Sequence, residues 1–262
     1  MVGIPHRHQL ATALKDLAQN SPVSSLHVLF ASEEDAAELR AAGFMERAGV
    51  QFHWRNPGYG SFEDFLADLS RDKRKKIRQE RRKVADAGVL LRRVTAREAT
   101  EAEWDFFTAC YLRTYRAHRS TPYLNREFFG MLAARMPDNV LLVIAERDGR
   151  PIAAALDLYS PSVLYGRYWG AEEFVPGLHF EACYYQAIEF AIERGIALIE
   201  GGAQGEHKHA RGFLPERTRS FHWLAHPAFA RAVDDYLARE GAGVSEYVDE
   251  LNERTPFRRT GE

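Results

Sequence analysis

The sequence predicts a mixed α/β (α+β) fold, and three observations carry that expectation. From residue 89 onward the hydrophobic pattern changes repeatedly between strand and helix character, in the order strand, helix, helix, three strands joined by short turns, helix, strand, loop, strand. Val140-Leu141-Leu142-Val143-Ile144-Ala145 is a short continuous apolar run, as a central strand buried on both faces requires. Asp148-Gly149 follows it, a hairpin signal into the next strand.

The size and composition fit such a fold. The chain has 262 residues, 45% hydrophobic and 27% charged, enough to bury a sizeable core without staples. Two cysteines, Cys110 and Cys183, are too few for a disulfide framework. A net charge of −2 gives no whole-molecule attraction to nucleic acid or anionic membrane, so any such attraction must come from a local patch. The first eight residues contain no apolar signal-peptide region and no run is long enough to span a bilayer, which together read as a cytoplasmic protein.

The elements follow in order. Leu10, Leu14 and Leu17 predict a helix over residues 9–20, and residues 25–30 read as a buried strand. Ser32 caps an acidic helix over 33–42 that Gly43 ends, and residues 45–54 form a strand closed by Asn56-Pro57-Gly58. Ser61 caps the next helix, whose stripe of Phe62, Phe65, Leu66 and Leu69 continues into a basic run from Arg71 to Lys83. The expectation is one long, exposed connecting helix ending near Gly88, solvated and salt-bridged to Glu80 or Asp72. Beyond it come a strand over 89–94, a capping box of Thr95 and Glu98, a helix over 98–118 and a helix begun by Asn125. Strands over 140–145, 152–159 and 162–170, a helix over 178–194, a strand over 196–200, a Gly-rich segment, a strand over 217–224 and two terminal helices over 227–239 and 244–251 complete the chain. The expected division is a partial unit over 1–58, a basic connecting helix over 59–88 and a complete domain over 89–262.

Several segments carry a family resemblance. They are Leu26-His27-Val28-Leu29-Phe30, Gln51-Phe52-His53-Trp54, the run from Lys73 to Arg81, Leu164-Tyr165-Gly166-Arg167-Tyr168-Trp169-Gly170, His179-Phe180-Glu181-Ala182-Cys183-Tyr184-Tyr185 and residues 201–213. Together they make the chain resemble the FemAB-like N-acyltransferases of the GNAT superfamily, proteins of the peptidoglycan-biosynthesis type, from about residue 25 to residue 240. The resemblance implies a GNAT-like fold, of which residues 89–262 hold one complete unit. Members of the family are usually longer and hold two units. Here the first unit begins at a strand from its middle, and its free strand edges suggest a partner chain or a homo-oligomer.

The resemblance implies amide formation on an amine acceptor. That chemistry needs a group to take the amine's proton, a held acyl carbonyl, and donors for the oxyanion. Residues 201–213 offer each type. Glu200, Glu206 or His207 can take the proton, Lys208, Arg211 and backbone amides can face the oxyanion, and Gln204 and Gly205 lie beside them. By resemblance to FemX-type transferases, Lys208 is the carbonyl-polarising residue. Glu181, with His179 and Tyr184 at a helix start, reads equally as a base, as part of a face turned to a carboxylate substrate, or as an acid stabilising the first turn. Tyr165, Arg167 and Trp169 share a strand face that either holds an anion or forms an ordinary aromatic core. His207 and His209 match no zinc spacing, so no metal is expected.

The donor reading rests on an absence. Residues 172–179, Glu172-Glu173-Phe174-Val175-Pro176-Gly177-Leu178-His179, lack the Arg/Gln-x-x-Gly-x-Gly/Ala loop that receives the pyrophosphate of acetyl-CoA, and Pro176 has no N–H to give. The expected donor is therefore an aminoacyl-tRNA or another activated acyl carrier, with no tightly bound cofactor, and the acceptor a peptidoglycan-precursor peptide or an amino acid. Two other readings stand beside it: an acetyl-CoA-dependent N-acetyltransferase, and a GNAT-like scaffold that binds a partner without catalysis.

Overall fold

The computed structural model describes residues 4–203 and 205–258. The elements run α1 (Ile4–Gln19), β1 (Ser25–Leu29), α2 (Glu33–Ala41), β2 (Met45–Arg55), α3 (Phe62–Asp68), α4 (Arg71–Asp86), β3 (Val89–Thr95), α5 (Glu101–Ala117) and α6 (Arg126–Arg135). They continue with β4 (Val140–Arg147), β5 (Arg150–Tyr159), β6 (Val163–Ala171), α7 (Leu178–Phe180), a π-helical turn (Glu181–Tyr185) and α8 (Gln186–Arg194). Last come β7 (Leu198–Glu200), α9 (Glu206–His209), β8 (Leu214–Leu224) and α10 (Pro227–Glu253). The chain divides into two units. One holds the residues through Phe52 together with Leu214–Thr255, the other His53–Phe213 and the residues from Pro256 on.

In the first unit β8 lies between β1 and β2, pairing antiparallel with β1 from Ser25↔Leu224 to Leu29↔Ser220. Ser32 accepts a hydrogen bond from the Asp35 amide and so caps α2. Ala11, Ala36, Leu39, Phe44 and Phe221 form the core. A bidentate pair from Arg47 to Glu240 ties α10 to β2. The expected boundaries at residues 58 and 88 divide the chain elsewhere, because they leave β8 and α10 with the C-terminal domain. The β1–β8 ladder joins residues about 195 apart in sequence, and no local pattern announces it.

In the second unit the strand order is β2-β7-β6-β5-β4-β3, with β2 represented by His53-Trp54-Arg55. All neighbours pair antiparallel except β6 and β7, which are parallel and joined by the α7–α8 crossover. As expected, β4 is buried on both faces. Val140, Leu142 and Ile144 pack with Trp104, Phe107 and Phe129 of α5 and α6, while Ala145 packs with Val84 of α4 and Leu178 of α7. Asp148 and Gly149 take positive φ values of 52° and 72°, the backbone of a tight hairpin turn.

Four local expectations are corrected. The long basic helix is two helices. Leu69 leaves helical geometry at ψ 154° because it bridges to Phe257, and the Ser70 amide bonds to the Pro256 carbonyl, so a distant segment captures the break. Nor is α4 a solvated connector: Ile77 and Val84 are buried, and Glu80 and Arg81 turn inward. The capping box of α5 is Thr100 with Glu103; Glu98 instead accepts from the Thr95 amide and hydroxyl within the preceding turn. The two C-terminal helices are one, α10, which continues through Gly241 and Gly243 and buries Leu237, Val248 and Leu251. Packing there outweighs the propensity cost of glycine.

A tight backbone-to-backbone approach in the second unit is at Gly170 of β6. A Cβ there would stand 2.2 Å from the Cys110 carbonyl oxygen of α5. Gly170→Ala is therefore expected to destabilise the protein by more than about 2 kcal/mol, since backbone rather than a flexible side chain must give way. Urea unfolding followed by tryptophan fluorescence checks this, and an unchanged midpoint would show that α5 can withdraw freely.

Candidate active site

The site is set by two parallel strands that part. β6 and β7 pair only from Val163↔Leu198 to Tyr165↔Glu200; β7 then ends in Gly201 and Gly202, while β6 runs on to Ala171. On the other side of β6 the register with β5 shifts between Leu156 and Asp157, so that Asp157 faces Gly166, Leu156 faces Tyr168, and Arg167 is the extra residue. A cavity of about 140 Å³ opens where the strands separate, outside the carboxyl end of the parallel pair. Asp157, Arg167, Trp169, His179, Cys183, Tyr184, Glu200 and Lys208 all line it.

Lys208 reaches the cavity from the single turn α9 and is only 7% exposed. Burial lowers the pKa of its ammonium. Two glycines in left-handed or otherwise glycine-favouring conformations flank this placement. Gly202 turns the chain at φ 77°, and Gly205, at φ 113°, lies against the His207 ring where a Cβ would stand 2.2 Å from it. The His207 ring rests near His179, Phe180 and Tyr184, and its Nε2 shares a 3.0 Å hydrogen bond with the Tyr184 hydroxyl. His179 packs on Trp169 with ring centroids 5.5 Å apart. Burial, reinforced by the charges of His207, Arg211 and Lys208, pushes the His179 imidazole down to about 4, so it is neutral at pH 7.

Behind α9 lies a buried ionic frame. The Arg211 guanidinium donates to the Tyr185 hydroxyl at 3.0 Å, the His207 carbonyl at 2.5 Å and Glu80 at 2.6 Å, and it covers the Phe180 ring at 3.4 Å. Arg81 donates to Glu181 through Nε and Nη2, both at 3.1 Å, and to Glu189 at 2.6 Å; Gln186 also donates to Glu181 at 2.8 Å. The π-helical turn carries Glu181 and Tyr185 to these partners, and widened turns of this kind recur at functional sites.

The structure thus sorts the residues that the sequence singled out. Lys208, Arg167, Trp169, His179 and Tyr184 come together around one cavity. Tyr165 does not share in that lining as strand alternation predicts, because the bulge at Arg167 resets the alternation. Arg211 spends its donors inside the protein rather than on a ligand, and Glu181 is held by Arg81 rather than standing free as a base. Glu206 is exposed at the start of α9, and Gly205 serves as that helix's N-cap residue. Gln204 lies outside the described residues. Among the described residues no group of three or more His, Cys, Asp or Glu side chains is arranged to hold a metal ion, and no helix is long and apolar enough to cross a membrane.

Asp157 is the residue that sequence reasoning passed over. It is 2% exposed, and its Oδ2 has no hydrogen-bond partner among the described residues. Burial raises its pKa to about 8. The adjacent Cys183 thiol is pushed well above its usual value by burial and by Asp157, with Lys208 opposing. One signal was available: a single acid in the otherwise apolar stretch Ile152-Ala153-Ala154-Ala155-Leu156-Asp157-Leu158.

The FemAB-like family, described as peptidoglycan biosynthesis/recognition, matches residues 4–259. No curated protein sequence matches the chain. Among solved structures it is similar to FemX, at 12% identity and a TM-score of 0.62 over 89% of this chain and 81% of that one. It is similar to the C-terminal domain of a putative lysylphosphatidylglycerol synthetase from Agrobacterium fabrum, at 12% identity and a TM-score of 0.64 over 88% and 77%. A tandem GNAT protein from the clavulanic acid biosynthesis pathway aligns at 15% identity and a TM-score of 0.50 over 84% and 70%. These likenesses establish the expected GNAT-like, FemX-like fold.

The raised acidity constant of Asp157 has a stability consequence. An acid whose folded value lies above its unfolded value of about 4 destabilises the fold progressively as pH rises from there toward 8. Asp157→Asn is therefore expected to melt above the wild type at pH 8.5, by about 3–8 °C, with the advantage shrinking as the pH falls toward 4. Differential scanning calorimetry across that range checks it; a difference independent of pH would mean that Asp157 is ionised at no cost.

Proposed function

The chain belongs to the FemAB-like family, and from that premise we propose that it is an N-acyltransferase whose amide-forming centre is the cleft between β6 and β7. The observation that carries the reading is Lys208, a buried cation at the point where two parallel strands part, beside a neutral imidazole and a buried acid. In this reading the acceptor amine attacks the acyl carbonyl carbon, the carbonyl oxygen gains negative charge, and Lys208 holds that charge at a site from which water is largely excluded. The new C–N bond forms as the bond to the donor's leaving oxygen breaks, and that oxygen leaves with a proton. Trp169, His179 and Tyr184 form the wall against which the acyl group rests. A peptidoglycan-precursor peptide or an amino acid is the acceptor that the family description supports.

Aminoacyl-tRNA is the donor we favour, with two supports. Residues 172–177 offer acidic groups instead of a pyrophosphate loop: Glu173 is paired with Arg147, and the Leu178 amide is already bonded to Val175. The outward face of α4 carries Arg71, Arg74, Lys75, Arg78 and Arg82 along one shallow groove, roughly one cation per turn. Arg78 pairs with Glu63, but Arg71, Lys75 and Arg82 make no ion pair among the described residues. Such a row suits a phosphate backbone, and Ile77 and Val84 face the interior, so no apolar edge is left on α4 for insertion into a membrane.

Two measurements test the reading. Lys208→Ala is expected to cut transfer from aminoacyl-tRNA to an amine acceptor by about 100-fold or more, mainly in kcat. Unchanged turnover would remove Lys208 from the mechanism, and turnover with acetyl-CoA in place of aminoacyl-tRNA would overturn the donor assignment. Replacing Arg71, Lys75 and Arg82 by glutamine is expected to weaken tRNA binding and to flatten the log Kd against log salt slope by about 2–3. An unaltered slope would show that RNA does not use α4.

A further inference from the structure

The acyl-transfer reading leaves the acceptor's own site unassigned, and one feature of the cleft bears on it. Asp157 sits in the middle of β5 with an oxygen that no group among the described residues satisfies, although the residue is 98% buried on its 2% exposure. An unpaired carboxyl in such a place costs the fold several kcal/mol in desolvation unless a partner arrives. Its surroundings are shaped to admit one. The bulge at Arg167 sets Asp157 opposite Gly166 of β6, where a Cβ would lie in ordinary contact with Asp157 Oδ1 at 3.7 Å and with the Glu200 carbonyl oxygen at 3.9 Å. Gly166 does not take a positive φ and a Cβ there would make only ordinary contacts, so it is a longer side chain at this position that would fill the approach to Asp157. The space opens into the cavity that also holds Lys208.

The groups around Asp157 are uneven in sign. Cys183 of the π-helical turn is a thiol held neutral, His179 and Tyr184 are neutral at pH 7, and Glu200 at the end of β7 adds a carboxylate and its backbone carbonyl. Arg167 and Lys208 are the cations on the lining, and neither contributes to the acidity of Asp157, which is set by burial alone. Asp157 and Glu200 thus form an acceptor-rich end of the cavity, separate in its electrostatics from the Lys208 end. A cavity of about 140 Å³ has room for the end of a chain and not for a whole peptide.

We propose that Asp157 is the amine subsite of this cleft: the ammonium end of a primary alkylamine enters past Gly166, donates to the Asp157 carboxylate and leaves its proton there as it becomes nucleophilic. This rests on the acyl-transfer reading for the fate of the amine, but not for its binding. The proton balance is complete. The carboxylate takes one proton from R–NH3+, giving the neutral acid and R–NH2; after C–N bond formation the second amine proton and the departing oxygen balance as in the transfer itself. The substrate class that fits is a primary amine at the end of a flexible chain, since the cavity admits the end of a chain and not a whole peptide.

The test uses no acyl donor. n-Propylammonium chloride is titrated into the full chain by calorimetry at pH 7, in two buffers of different ionisation enthalpy, beside tetramethylammonium, a cation without N–H. Because the empty site holds Asp157 largely protonated, wild type is expected to bind propylammonium with release of up to about one proton, and to bind tetramethylammonium far more weakly. Asp157→Asn, near-isosteric, is expected to weaken propylammonium binding at least about tenfold and to abolish the proton release. Gly166→Leu, which keeps the acid and fills its approach, is expected to weaken binding similarly, so a folding defect of one variant does not decide the result. Equal binding of the two cations, binding by Asp157→Asn equal to wild type, or no binding of propylammonium by wild type at 100-mM-order concentrations would each overturn the amine subsite. Lys208→Ala in the donor-dependent transfer assay reports on the acyl-transfer reading alone, so the two can fail separately.

Discussion

A buried arginine holds the Lys208-bearing end of the second unit in place. Arg211 is 2% exposed, and a guanidinium in that position is tolerable only if its donors are filled. They are filled by Glu80 from α4, by the Tyr185 hydroxyl from the π-helical turn and by the His207 carbonyl from α9, with Phe180 of α7 against its plane. Three stretches of chain, around residues 80, 180–185 and 207–211, meet on one side chain. α9 has only four residues and cannot be stable as an isolated helix. The Arg211 contacts are what give Lys208 a fixed position. The neighbouring Arg81 bridge to Glu181 and Glu189 does the same for the π-helical turn.

Around this frame, the strand geometry creates a place where titratable groups of opposite type share little water. β7 stops after three paired residues, β6 continues, and the bulge at Arg167 resets the register of β6 against β5. Burial then pushes both an ammonium and a carboxyl toward their neutral forms: Lys208 downward and Asp157 upward. For Asp157 the shift to about 8 brings its proton exchange close to neutral pH, which a solvent-exposed carboxyl does not reach. The outer face of α4 follows the opposite rule. Its arginines and lysines line a surface groove, while the inner face of the same helix supplies the ions of the buried frame.

Much of the fold was legible in the sequence because its signals are local. The Ser32 and Asn125 caps, the Asp148-Gly149 turn and the doubly buried β4 each depend on a few adjacent residues, and each forms as expected. Segment composition also drew attention to Lys208, His179, Tyr184, Arg167 and Trp169, which do line one cavity. Arg211 and Glu181 misled for a physical reason: sequence proximity to a Gly-rich segment does not reveal whether a charged side chain turns toward ligand or toward another buried charge. Asp157 was missed for the converse reason, since its isolation is a property of packing and not of neighbours along the chain.

By itself, the sequence determined the order and type of nearly every element, the family-like segments and the position of the lysine-bearing loop, because hydrophobic period, capping chemistry and turn residues act over a few positions. Tertiary structure alone decided that β8 returns to β1, that Leu69 and Ser70 break the basic helix against Phe257 and Pro256, and that Glu80 rather than solvent receives Arg211. It alone decided, too, that Asp157 and Lys208 face the same cavity. Those outcomes depend on contacts between residues far apart in the chain, where the balance of desolvation against pairing is set only once the strands have found their partners.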